Sequence, residues 1–282
     1  MRRLKNSTKI DDQKYAAQQY KTAANLNARV SLHERFSVNR YGWQRWVFDQ
    51  IRFPTPGRIL ELGCGPAYLW RDNLDRLPPG CEILLTDFSE GMIAQARDNL
   101  GTGNPFQFQR VDAQEIPLPF ETGSFEVVIA NHMLYHLPYR SSTLADIHRI
   151  LVAGGKLYAS TVGERHLVEI HELIHKFDPT RSAWGNVANS FKLENGAEQL
   201  SPWFEQVNMH RYIDSLEVTE VEPLVEYILS GWSDLDEEQH PQFFQMVEAE
   251  LNQRGGVFHI TKDSGMFQAR KGNQDFIVRR IR

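Results

Sequence analysis

Apolar runs alternate with amphipathic ones from residue 58 to residue 162. The apolar runs "RILELG", "CEILLTD", "FQFQRVDA", "FEVVIAN" and "KLYASTV" are short and rich in branched and aromatic residues, so they predict buried strands. Between them, "AYLWRDNLDRL" reads as a helix stopped by Pro78-Pro79-Gly80. "SEGMIAQARDNL" reads as a helix capped by Ser89 and ended at Gly101, and "YRSSTLADIHRIL" as one whose end is marked by Gly154-Gly155. Strands that alternate with helices predict parallel βαβ units with right-handed crossovers. Such a sheet is covered on both faces, which explains why its strands are apolar throughout rather than alternating.

The flanks follow other patterns. Residues 13–36 contain no glycine or proline and repeat alanine and leucine at helical spacing, and the aromatic-rich "RYGWQRWVFDQI" adds a second helical stretch before "FPTPG". Residues 1–53 are therefore expected to form an N-terminal helical arm, or lid, packed on a core domain of residues 54–282, in one domain overall. Beyond residue 162, "HLVEIHELIHKF", "LENGAEQLSPWF", "EVEPLVEYIL" and "PQFFQMVEAELNQR" predict helices and "EQVNMHRYI" a strand. "GVFHITKDSGMFQARK" predicts a hairpin or one long terminal strand. The expected fold is α/β: a Rossmann-like, doubly wound, mainly parallel seven-stranded sheet with helices on both faces.

Composition narrows the function classes. A formal net charge of -5 over 282 residues disfavours nucleic acid as a partner, because such binding relies on lysine and arginine displacing counterions. Two cysteines, Cys64 and Cys81, make neither a disulfide framework nor a cysteine zinc site, which suits a cytoplasmic protein. No apolar run approaches the length of a membrane span, and no apolar segment follows the basic "MRRLK" as a secretory signal requires. The expected partner is a small molecule, with no nucleic acid and no membrane, for a monomer or homodimer.

The candidate chemistry sits at the end of the first strand. Open parallel sheets bind ligands beyond the C-terminal ends of their strands, and glycine there allows the backbone to approach a ligand closely. "LELGCGPAY" lacks the third glycine of a dinucleotide fingerprint, which weakens pyrophosphate recognition. It places Glu61 two residues before Gly63 instead. A carboxylate there repels phosphate, accepts hydrogen bonds and attracts a cation. Asp87 ends the second strand, where an acid takes both hydroxyls of a ribose, and Asp112-Ala113 ends the third, within reach of an adenine amine. Adenine, a free ribose diol and a positive charge without phosphate describe S-adenosylmethionine.

"ILELGCGPA", "LLTDFSEGMIAQA", "VDAQEIPLPFETGSFEVVIANHMLYHL" and "IHRILVAGGKLYAST" follow one another in the order seen in class I S-adenosylmethionine-dependent methyltransferases. The chain resembles that family over about residues 58–162, and most of all its small-molecule group, which includes the ubiquinone and menaquinone biosynthesis enzymes. The resemblance implies that Glu61, Gly63, Cys64 and Gly65 contact the methionine part of S-adenosyl-L-methionine. It implies ribose hydroxyls on Asp87, adenine beside Phe88 and Met92, and the adenine edge on Asp112 and Ala113. Asn131 and His132 would line the methyl-transfer cleft. S-adenosyl-L-homocysteine would be the product, and no metal is expected. Cys64 reads as a small loop filler in preference to any redox role, and Met92 equally as core.

Methyl transfer requires a nucleophile held in line and, where it carries a proton, a base. "NHMLYHL" offers His132 as candidate base or substrate contact, with Tyr135 and His136 as weaker candidates. His148 is expected on a core-facing helix, and His166, His171 and His175 on a solvated helix face. In the arm, Tyr15, Tyr20 and Tyr41 are candidates for touching cofactor or substrate. No Asn/Asp-Pro-Pro-Tyr/Phe segment follows the fourth strand, so amino methylation of DNA bases or glutamine is disfavoured. The expected activity is methyl transfer to O, N or C of a small organic metabolite. The alternatives are a non-catalytic Rossmann-like cofactor-binding protein and, less well supported, an NAD-type oxidoreductase.

Overall fold

The computed structural model describes residues 24–180, 191–231 and 235–273, with side chains from Val30 onward. Tyr15 and Tyr20 lie outside the described residues. Seven strands form one sheet in the order β3-β2-β1-β4-β5-β7-β6. They are β1 (Gly57–Leu62), β2 (Cys81–Asp87), β3 (Phe106–Arg110), β4 (Phe125–Asn131), β5 (Leu151–Val162), β6 (Glu205–Val218) and β7 (Phe258–Arg270). The first five pair in parallel, while β7 runs antiparallel between β5 and β6. The predicted doubly wound, mainly parallel sheet is thus present, and the ambiguous terminal segment is one long strand.

Strand residues alternate between two buried layers. Leu60, Leu62, Val128 and Leu157 pack with Leu144 and Ile147 of α5 (Arg140–Ile150) on one face. Ile59, Ile83, Leu85 and Ile129 pack on the other with Ile93 of α4 (Glu90–Leu100) and with Val47 and Phe48 of α2 (Trp43–Gln50). The third core joins α1 (Ala24–Phe36), α6 (Val168–Phe177), α8 (Val221–Gly231) and α9 (His240–Gln253) to the ends of β6 and β7. Ser89 caps α4 as predicted, its Oγ accepting the Met92 N–H at 3.3 Å.

Several boundaries differ from the sequence pattern, and the helix expected over residues 193–204 is only α7 (Gly196–Leu200). The helix expected over residues 67–77 is one turn, α3 (Tyr68–Arg71), followed by a 3-10 turn at Leu74–Arg76. Asn73 makes the break, donating its side-chain amide to the Leu69 carbonyl at 2.8 Å and to the Gln44 carbonyl at 3.3 Å. This competition of a short polar side chain with the helical ladder is characteristic of asparagine. The glycines Gly154-Gly155 do not end α5, which stops at Ile150; they lie within β5. A Cβ on Gly155 would stand 2.9 Å from the Val152 carbonyl oxygen, so close backbone approach, not helix termination, requires glycine there.

The link from α1 to α2 is tied to the sheet edge by backbone. Ser37 bridges Leu216, the Val38 N–H donates to the Ser215 carbonyl at 2.9 Å, and the Asn39 side chain donates to the Ile213 carbonyl at 2.9 Å. This part of the arm is an added piece of edge strand, which covers some of the exposed ladder of β6.

Candidate active site

The sheet order reverses between β1 and β4, and the ends of those strands open into a cavity of about 920 Å3. Glu61 is 2% exposed there. Its Oε2 accepts the indole N–H of Trp70 at 2.6 Å, and its Oε1 accepts the Asn131 amide at 3.2 Å. Burial raises the Glu61 pKa to about 7 against the pull of these two hydrogen bonds, and Asp87 nearby adds to the rise. Asn131 donates an amide N–H to Glu61, and its buried Oδ1 has no partner among the described residues. A buried acid and an unfilled acceptor at the switch point suit a ligand cation.

The loop after β1 adapts to that proximity. Gly63 and Gly65 hold φ +67° and +54°, a left-handed region that favours glycine. A Cβ on Gly63 would come within 3.0 Å of Met133 Cβ. Asp87 accepts the Gly65 N–H on Oδ2 at 3.0 Å and the Ser89 N–H on Oδ1 at 2.9 Å, so the second acid also braces the loop. Burial raises its pKa, with these backbone donors opposing. Phe88, Met92, Asp112 and Ala113 line the same end of the cavity. Met92 is at once core and lining, being 1% exposed. Cys64 is buried, and burial holds its thiol well above the usual range, which favours the filler reading over a reactive one.

Trp70 is the one neutral donor on Glu61 that the sequence pattern assigned only to a helix. Trp70→Phe removes a 2.6 Å hydrogen bond to the ionised form while keeping most of the packing. The expected result is a Glu61 titration moved to higher pH, read as a higher midpoint in the pH dependence of cofactor affinity. An unchanged midpoint would remove Trp70 from the role.

The cavity continues past His132, whose φ is +48°, a strained value for a non-glycine residue that clusters at functional sites. Its ring lies 5.2 Å from that of Trp43, which in turn contacts Trp46 and Tyr212, each at 5.3 Å. Burial, assisted by His136 and Lys262, lowers the His132 pKa to about 4, so the ring is neutral and able to accept a proton. Tyr135 and His136 line this chamber too. Tyr41 stands at its rim, half exposed, with its hydroxyl donating to Asp49 at 2.6 Å.

The histidines of the second half depart from expectation. His148 is buried as predicted, but His166 and His171 line the chamber; of the three expected on a solvated face, only His175 is exposed. The cause is tertiary: α6 begins only at Val168, and the turn before it is bonded to β7 through the Gly163 N–H on the Asp263 carbonyl and the Leu167 N–H on the Thr261 carbonyl, each at 2.8 Å, which turns His166 inward. His166 Nδ1 accepts the Asp263 N–H at 3.2 Å, which assigns its own proton to Nε2. His33 of α1 stacks on His166 at 6.4 Å, and its buried Nδ1 has no partner among the described residues. Burial lowers the His33 pKa to about 3. Among the described residues no three histidine, cysteine or acidic side chains converge to hold a metal ion. Trp43, His33 and Lys262 come from distant segments without a local motif; only tertiary structure unites them.

Residues 60–159 match a methyltransferase-domain family. The malonyl-[acyl-carrier protein] O-methyltransferase of Legionella pneumophila is 32% identical over 119 residues, 42% of this chain and 41% of that protein. The ubiquinone/menaquinone biosynthesis C-methyltransferase of Geotalea uraniireducens is 30% identical over 124 residues, 43% of this chain and 52% of that protein. The chain thus spans about half the length of the curated relatives it matches. Among solved structures, the [4+2]-cyclase SpnF superposes with a TM-score of 0.56 at 16% identity, covering 95% of this chain and 98% of that one. The YcgJ protein from Bacillus subtilis superposes at 0.53 with 14% identity, covering 82% and 98%. These two likenesses show the fold, and a cyclase among them illustrates that the fold alone names no reaction.

Proposed function

We infer from the class I methyltransferase domain at residues 60–159 that this chain transfers a methyl group from S-adenosylmethionine to a small organic acceptor. The observation that carries this reading is buried Glu61 with Asn131 Oδ1 unfilled beside it, at the strand ends that also present Asp87. This set of acceptors fits a cationic, phosphate-free adenosine cofactor. Glu61 and Asn131 Oδ1 would hold its ammonium group, Asp87 its ribose hydroxyls, and Phe88, Met92, Asp112 and Ala113 its adenine. Bound there, S-adenosylmethionine supplies a methyl group on a good sulfonium leaving group. The carboxylates argue against a dinucleotide, whose pyrophosphate they would repel.

The chain's own contribution is to orient the acceptor, exclude water and take a proton from an acceptor that carries one. His132 is placed at the junction of the two compartments and stays neutral to about pH 4, so it holds its proton-accepting form across the physiological range. His132→Ala is expected to lower kcat by roughly a hundredfold on a proton-bearing acceptor, with affinity for S-adenosylhomocysteine kept. Equal losses in both would reassign His132 to structure. Trp43 roofs His132 and belongs to the arm, so residues 30–45 serve as a wall of the acceptor chamber. Tyr15, Tyr20 and Tyr41 are tested by phenylalanine substitution, with altered KM expected at any that touches a ligand.

Calorimetry with S-adenosylmethionine, S-adenosylhomocysteine and NAD tests the reading. Binding of both sulfur ligands and not NAD is expected; NAD binding alone would overturn it. Methyl transfer from labelled cofactor to a metabolite panel separates the enzyme from a cofactor-binding protein that has lost catalysis.

A further inference from the structure

A buried ammonium stands in the acceptor chamber with part of its hydrogen-bonding capacity unspent. Lys262 lies on β7 opposite Asp214 on β6 in the antiparallel register, and the two form an ion pair. The Lys262 side chain is 8% exposed and lines the cavity, and the Asp214 side chain is fully buried. Asp214 is saturated. Its Oδ1 accepts the Asn39 N–H at 2.9 Å and the Ser215 N–H at 2.8 Å, and its Oδ2 accepts the Ser37 hydroxyl at 2.5 Å together with Lys262. An ammonium carries three donors. Asp214 takes one, and among the described residues no other acceptor bonds the remaining two. The Tyr212 ring, 5.5 Å from Nζ, offers its face and not a lone pair.

The surroundings favour one sign of ligand. His33, His132 and His166 are near enough for the Lys262 charge to disfavour their protonation, so neutral imidazoles surround the Lys262 ammonium. His166 contributes a second donor, since Nδ1 accepts a backbone N–H and leaves the proton on Nε2. The acids at the cavity's rim, Glu34 and Glu164, are exposed, and Glu164 faces Lys192 at 4.0 Å.

We propose that the methyl acceptor carries an anionic oxygen, a carboxylate or an ionised enol or phenol, which is held by the unspent Lys262 donors with the His166 Nε2–H beside them. The proposal rests on the methyltransferase reading and deepens it: amines, which share the charge of Lys262, are disfavoured as acceptors. Charge-assisted hydrogen bonds to a buried ammonium are the strong kind, and an uncharged isostere leaves those donors unfilled.

The full chain saturated with S-adenosylhomocysteine is titrated calorimetrically with benzoate and 4-nitrophenolate, which separate the two sources of anionic oxygen. Benzamide, 4-nitroanisole and benzylamine are the uncharged and cationic counterparts. At least one anion is expected to bind about tenfold or more tightly than its uncharged counterpart, with benzylamine weakest. The double variant Lys262→Met with Asp214→Asn removes the ion pair but keeps an oxygen for the arm's N–H groups. It is expected to abolish the preference while retaining affinity for S-adenosylhomocysteine. Lys262→Gln, with three donors left on Asp214, is the second variant. Uncharged or cationic probes binding as tightly as the anions would overturn the proposal, as would a preference that survives either variant. Failure of S-adenosylhomocysteine to bind would count against the methyltransferase reading instead, and the anion preference is then scored on the protein without it.

Discussion

Glu61→Gln is expected to weaken binding of S-adenosylmethionine by roughly a hundredfold while leaving the free protein at least as stable above pH 7. Both effects come from one buried charge. The loss in affinity is that of a charge-assisted hydrogen bond to a cation, about 1.5–3 kcal/mol. The stability effect has the opposite sign because Glu61 titrates near pH 7 in the fold, against 4.5 ordinarily. Between those values the folded chain keeps a proton that the unfolded chain has released. Stability therefore falls as pH rises from about 4.5 to 7, by up to about 3 kcal/mol, and is level above that. Glutamine removes this dependence.

The cofactor's cation would reverse the balance in the wild-type site. It favours ionised Glu61, so affinity is expected to rise with pH, about tenfold per unit below pH 7, and to flatten above. Calorimetry across pH 5.5–8.5 on the wild type and Glu61→Gln checks both statements. A flat wild-type profile, or unchanged affinity in the variant, would sink the argument built on this carboxylate.

What the sequence made legible follows from locality. Glu61, Gly63 and Gly65 sit within five residues, and Asp87 and Asp112 each end a strand whose apolar run is visible on its own. In a parallel sheet all such ends fall on one edge, so finding the strands places the acids together. The acceptor chamber obeys no such rule. Its walls come from α1, the loop after β4, the start of α6 and the middle of β7, segments whose meeting depends on how helices pack over the sheet. His166 shows the cost: helical spacing with His171 and His175 resembles a solvated stripe, and only the bonding of the turn before α6 to β7 turns it inward. Lys262 carries even less signal, since an alternating strand with one lysine reads as an ordinary edge.

The ion pair that supplies this hidden cation also ties the arm to the sheet, and removing its acid is expected to be the most destabilising single change in that region. Asp214→Ala deletes the acceptor of four hydrogen bonds at once: from Ser37, the Asn39 and Ser215 N–H groups, and Lys262. It strands a Lys262 ammonium whose side chain is 8% exposed, with no other carboxylate bonded to it among the described residues. Breaking a buried pair on one side costs about 3–5 kcal/mol, roughly 6–15 °C in Tm for a chain of this size. Restoring charge balance in Asp214→Asn with Lys262→Met is expected to recover most of that loss, because a neutral pair strands nothing. The same group sets an acid limit. Its hydrogen bonds and Lys262 hold the Asp214 carboxyl below its usual value, so its stabilisation is present above about pH 4 and is lost as pH falls through the lowered pKa of the folded state. Thermal melts of the three proteins between pH 3 and 8 would show the wild type losing Tm in acid more steeply than the double variant. A double variant as unstable as Asp214→Ala would mean that the arm's hydrogen bonds to this carboxylate, and not the stranded ammonium, carry the cost.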